Sequence, residues 1–108
     1  MKKEELFLLL NSIGIAPSKK LGQNFLIDNN LLDFIARTAS LSEGQRVLEI
    51  GPGLGFLTSH LLEKKTVLTA IEYDAKIASY LNKKYGNKIT LIHQDACKSN
   101  LDEIMENN

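Results

Sequence analysis

Apolar positions along the chain switch between two periods. Leu6, Leu9, Leu10 and Ile13 recur at helical spacing and Gly14 follows them, so the pattern predicts a first amphipathic helix over residues 3–13. Pro17 then breaks the chain, and residues 18–26 mix two lysines, a glycine, two amides and three apolar residues without any period, which predicts a loop of the kind that often carries function. Asp28 is placed to cap a second helix, whose buried face is expected at Leu31, Phe34, Ile35, Thr38 and Ala39. Residues 42–45 read as a turn. From Arg46 the pattern becomes strand-like: an aliphatic run at 46–50 enters three glycines at alternate positions, Gly51, Gly53 and Gly55, and leaves into a helix with Leu57, Leu61 and Leu62 on its apolar side. Residues 67–72 form a second, largely buried strand. Asp74 can cap a helix bearing Ile77, Leu81 and Tyr85, which Gly86 ends, and a third strand at 89–92 runs up to Asp95 before a short acidic helix.

Strands and helices alternating in this way make the sheet parallel, as in an α/β, Rossmann-like doubly wound fold. Three parallel strands with flanking helices account for only the N-terminal half of such a sheet. The expected organisation is one incomplete domain over 1–108, with helices and a loop in 1–45 and a βαβαβ core in 46–108. No repeat or low-complexity tract marks a second domain.

Composition narrows the class. The chain has 108 residues, 44% hydrophobic and 24% charged, which is ordinary for a soluble globular protein with a modest core. No apolar run approaches the ~18 residues of a membrane span, and Glu4 and Glu5 interrupt the one stretch that resembles a leader, so a cytoplasmic location is expected. Thirteen basic residues balance thirteen acidic ones, so net charge alone offers no reason to propose a nucleic-acid partner. The single Cys97 has no partner for a disulfide and no metal-ligand companions at useful spacing.

The glycine stretch narrows the ligand. A dinucleotide fingerprint needs its third glycine where Phe56 stands, and a phosphate cradle needs consecutive backbone N–H groups, one of which Pro52 removes. With Glu49 two residues ahead of Gly51, the E-x-G-x-G-x-G pattern is similar to the first motif of S-adenosylmethionine (SAM) methyltransferases, whose cofactor has no phosphate. Glu72, at the end of the second strand, is placed to accept hydrogen bonds from both ribose hydroxyls of an adenosyl group. Asp95 can accept from the exocyclic amine of its adenine while the Ala96 N–H faces a ring nitrogen, or it can cap the helical turn that follows. Glu49 can meet the methionine ammonium or brace the loop by accepting backbone N–H bonds. His60 and His93 have no acidic or hydroxyl partner at catalytic spacing, and no triad, paired-carboxylate or metal constellation is present.

Residues 19–26, Lys-Lys-Leu-Gly-Gln-Asn-Phe-Leu, followed by residues 47–55, Val-Leu-Glu-Ile-Gly-Pro-Gly-Leu-Gly, then Glu72 and Gln94-Asp95-Ala96, closely resemble the ribosomal RNA adenine dimethyltransferase family. The bacterial small-subunit branch is the nearer one, and the erythromycin-resistance methylases are relatives. The resemblance implies SAM as cofactor, small-subunit ribosomal RNA as partner, and transfer of two methyl groups to adenine N6. It also implies that Gln23, Asn24 and Leu26 line the cofactor pocket, that Phe25 is a packing anchor, and that Gly51 approaches the methionine part. Glu72 would hold the ribose, and Asp95 with Ala96 would read the adenine. The family's Asn-Leu-Pro-Tyr-like segment after a fourth strand and its C-terminal helical domain do not occur in these 108 residues. The cofactor half is therefore expected without the substrate half. The competing readings are a SAM methyltransferase with another substrate, a catalytically inactive SAM-binding module and, more distantly, a dinucleotide oxidoreductase.

Overall fold

The computed structural model describes residues 3–15 and 29–107. Helix α1 (Lys3–Ser12) is followed by α2 (Asn29–Thr38), β1 (Arg46–Ile50), α3 (Phe56–Glu63), β2 (Val67–Glu72), α4 (Ala75–Tyr85), β3 (Thr90–His93) and α5 (Leu101–Asn107), with 3-10 turns at Gly86–Lys88 and Ala96–Lys98. The three strands form one parallel sheet in the order β1-β2-β3. Its register aligns Ile50 with Ile71 and Glu72 with His93, so the carboxyl ends of all three strands finish at one level. Gly51 extends the ladder by donating its N–H to the Ile71 carbonyl at 2.9 Å.

The expected parallel α/β architecture is therefore present, and β2 at the centre has every residue after Val67 buried. Its Leu68 and Ala70 pack with Leu61 from α3, Ile77, Leu81 and Tyr85 from α4, and Ile89. Asp74 caps α4 as expected, its carboxylate accepting from the N–H groups of Lys76 and Ile77 at 2.9 and 3.0 Å, and Gly86 stands at the helix end with φ +54°. A smaller cluster joins α1 to the glycine loop, where Leu6, Leu10 and Leu54 are all at most 1% exposed. Lys76 fastens the end of α1 by donating to the Gly14 carbonyl at 2.6 Å.

The buried face of α2 differs from the expectation. Leu32 and Ala36 are the covered residues, at 1% exposure each, whereas Leu31, Phe34, Ile35, Thr38 and Ala39 are all exposed. A helix with apolar residues on two sides presents whichever side its neighbour can approach, and small Ala36 admits the close packing of α2 against α3. The third strand also begins one residue later than expected, because Ile89 is drawn into the core beneath α4 and pairing starts at Thr90. Along β1, Val47 and Leu48 are only half-buried, and Ile50 is exposed. Arg46 reaches from the start of that strand to the Met105 carbonyl of α5 at 2.6 Å.

Candidate functional site at the strand ends

The loop between β1 and α3 is set by positive backbone angles at three glycines, φ +67° at Gly51, +57° at Gly53 and +87° at Gly55. Side chains rarely tolerate that region, which accounts for the alternate glycines. Two of them face different surroundings. Among the described residues, a Cβ on Gly51 would meet nothing within 4 Å, so the loop presents bare backbone there. A Cβ on Gly55 would lie 2.6 Å from the Tyr85 hydroxyl and 2.7 Å from its ring, so that position is filled from within the protein.

The loop's donors are turned inward. Gly51 donates to Ile71, Pro52 has no N–H, Gly53 donates to the Glu72 carboxylate at 3.2 Å, and Gly55 donates to the Pro52 carbonyl at 3.0 Å. A pyrophosphate would find few free N–H groups and a carboxylate beside it. The sequence-based objection to a dinucleotide, resting on Pro52, is thereby extended to its neighbours.

Glu72 ends β2 with 7% exposure, and its second oxygen accepts from the Asp74 N–H at 3.0 Å. Two backbone donors hold the carboxylate in place, one on each oxygen, and each oxygen keeps a further lone pair for a ligand hydroxyl. On the neighbouring strand, His93 contacts the Tyr73 carbonyl through Nε2 at 3.0 Å, which ties the segment after β2 to the end of β3. Asp95 is half-buried, and its carboxylate accepts from the Cys97 N–H at 2.9 Å. Its capping role is thus present, and Ala96 opens the 3-10 turn it caps. Glycine loop, Glu72 and Asp95 follow three adjacent strands, spanning two inter-strand spacings or about 10 Å. Gln23, Asn24 and Leu26 lie outside the described residues.

Glu49 is 8% exposed and accepts from the Thr58 hydroxyl at 2.5 Å. Of its two expected roles, bracing is the one displayed, through a side-chain hydroxyl of α3 rather than a backbone N–H. Burial pushes the Glu49 carboxyl above its ordinary value, and the Thr58 hydrogen bond offsets part of that rise. A carboxyl raised in the folded state contributes stability that is complete below its unfolded value and is lost as pH rises through the folded one. Glu49→Gln keeps an oxygen for Thr58 and removes the buried charge. Its melting temperature relative to the wild type should therefore climb from mildly acidic pH to pH 8. Thermal melts across that range check the sign, and a difference that stays flat or falls contradicts it.

Tyr85 and Thr58 are the site residues that sequence reading missed. Tyr85 was legible only as part of the apolar face of α4, and nothing in the pattern singled out Thr58. Among the described residues, no group of three or more His, Cys, Asp or Glu could hold a metal ion, and no helix is long and apolar enough to cross a membrane.

Comparison with known proteins gives this geometry a family. The model for "Ribosomal RNA adenine dimethylase" matches residues 16–108. Ribosomal RNA small subunit methyltransferase A of Clostridium botulinum is 44% identical over 101 residues, covering 92% of this chain and 37% of that protein. The chain thus spans little more than a third of the length of that curated relative. Among solved structures, the 23S rRNA methyltransferase ErmE superposes with a TM-score of 0.65 at 35% identity, over 70% of this chain and 32% of that one. The glycopeptide N-methyltransferase MtfA, solved with SAM, superposes with a TM-score of 0.55 at 26% identity, over 65% of this chain and 32% of that one. The parallel sheet with its glycine loop is the fold of class I SAM methyltransferases, and the chain belongs to the ribosomal RNA adenine dimethylase family.

Proposed function

We propose that the chain is the cofactor-binding part of a SAM-dependent methyltransferase that dimethylates adenine N6 in small-subunit ribosomal RNA. The observation that carries the cofactor is the pairing of bare backbone at Gly51 with a buried, firmly held carboxylate at Glu72 on the adjacent strand end. That pairing suits an adenosyl ligand without phosphate. The RNA substrate rests on family membership and on the relatives' names, and the cytoplasmic location proposed with it follows from that substrate.

In this reading Glu72 accepts from the ribose hydroxyls, Asp95 and the Ala96 N–H read the adenine edge, and Gly51 lets the methionine part lie against the loop. Gly53 supplies the N–H that aims Glu72. Gly55 turns the chain into α3, and Glu49 braces that helix from behind through Thr58. Gln23, Asn24 and Leu26 complete the pocket from the N-terminal segment. When bound, the cofactor supplies a methyl group on a sulfonium, open to in-line displacement. The protein's contribution is chiefly positioning, an effect worth up to roughly 7–11 kcal/mol in well-oriented reactions.

The test is calorimetric titration of residues 1–108 with SAM and, separately, with NAD. SAM should bind at least tenfold more tightly, because the inward-turned donors offer little to a pyrophosphate. Equal or tighter binding of NAD would overturn the cofactor reading.

A further inference from the structure

Gly55 is the hinge between the glycine loop and α3, and its carbonyl is more heavily bonded than an ordinary helix start. It accepts the Ser59 N–H at 3.0 Å, the first turn of the helix, and also the Tyr85 hydroxyl at 2.7 Å from the last turn of α4, 30 residues away. The Ser59 hydroxyl lies 2.6 Å from the Tyr85 oxygen and 3.2 Å from the Gly55 carbonyl. A carbonyl can only accept, so the Gly55 oxygen takes a hydroxyl proton from Tyr85 or from Ser59. The other hydroxyl donates across the 2.6 Å contact between the two oxygens, where either can be the donor. Every oxygen in the triangle is satisfied either way.

The tyrosine cannot readily leave this position. Its residue is 7% exposed and belongs to the main core with Leu61, Leu81 and Ile89, and its ring stands where a Gly55 side chain would be. The Lys84 ammonium lies 5.2 Å from the ring centroid. Burial pushes the hydroxyl above its ordinary pKa, the Ser59 bond offsets part of this, and the Glu49 charge adds to the rise, so it remains a donor at neutral pH. Gly55, the N-cap of α3, has no side chain to supply a cap. Tyr85 therefore supplies a tertiary anchor where a local one is missing.

We infer that Tyr85 is the positioning residue of the cofactor site, holding Gly55 so that residues 51–55 are preset in the shape that receives the adenosyl ligand. The inference rests on the cofactor reading above and deepens it. A preset loop avoids the ordering cost that a loose one meets on binding, so loss of the clamp appears as weaker affinity in a protein that remains folded. A purely structural role would lower the melting temperature without changing the dissociation constant of the folded chain.

Residues 1–108 are compared with Tyr85→Phe, which keeps the ring and removes the hydroxyl, and with Ile89→Val, a small truncation in the same core. SAM affinity is measured by calorimetry well below all melting midpoints, and amide hydrogen exchange is followed without ligand. Tyr85→Phe should weaken SAM binding about three- to tenfold and speed exchange at residues 53–58 relative to β2, whereas Ile89→Val should do neither. Unchanged affinity together with unchanged relative exchange in Tyr85→Phe would overturn the inference and leave Tyr85 as a core filler. Accelerated loop exchange in a chain whose wild type binds no SAM would support the clamp and overturn the cofactor reading instead.

Discussion

Gly55→Ala is expected to destabilise the chain by about 2–4 kcal/mol and to lower its melting temperature by on the order of 10–20 °C. Two costs combine. Gly55 has φ +87°, where a side chain costs roughly 1–2 kcal/mol, and the new methyl would lie 2.6–3.0 Å from three atoms of Tyr85. Rotation of the ring away is opposed by the core around it, so backbone or helix must shift and the Tyr85 bond to the Gly55 carbonyl is lost. Gly51→Ala provides the contrast. It carries the backbone cost alone, since a Cβ there meets nothing within 4 Å among the described residues, and should lose about 1 kcal/mol of stability while placing a methyl where the ligand is proposed to lie. Denaturant or thermal unfolding of the two variants distinguishes them. Equal stability losses would mean that Tyr85 yields and that the two glycines are not separated by their surroundings.

That contrast marks how far the sequence could be read. Strong patterns set the elements: β1 and β2 occupy 46–50 and 67–72 as expected, because aliphatic runs bounded by a turn and a glycine loop leave little choice of register. Three alternating glycines marked a loop whose backbone angles side chains rarely adopt. They could not reveal that one presents bare backbone and another meets a tyrosine, since the partner of Gly55 stands 30 residues away on another element. The same limit applies to α2, whose apolar residues lie on more than one side. Periodicity found the helix, but only packing against α3 selected Leu32 and Ala36 over Phe34 and Ile35. Glu72 and Asp95 were legible because parallel topology alone delivers strand ends to one edge of the sheet. The backbone donors that hold Glu72 were not, since they depend on where Gly53 and Asp74 come to rest.

Glu72→Ala is expected to weaken SAM binding by about 1–3 kcal/mol, roughly 5- to 150-fold. The carboxylate is the proposed acceptor for the ribose hydroxyls, and it reaches them already oriented by the Gly53 and Asp74 N–H groups. Its removal costs the charge-assisted bonds to the ligand. It also frees the Gly53 N–H, whose bond to Glu72 joins the loop to β2. The chain should remain folded, because the core of Leu61, Leu68, Ala70, Ile77 and Leu81 does not include this side chain. The decisive measurement is a calorimetric titration of SAM into wild-type residues 1–108 and into Glu72→Ala, at a temperature where circular dichroism shows both folded. Binding by the wild type with at least a fivefold loss in the variant is the predicted result; identical affinities would contradict a cofactor site at the strand ends.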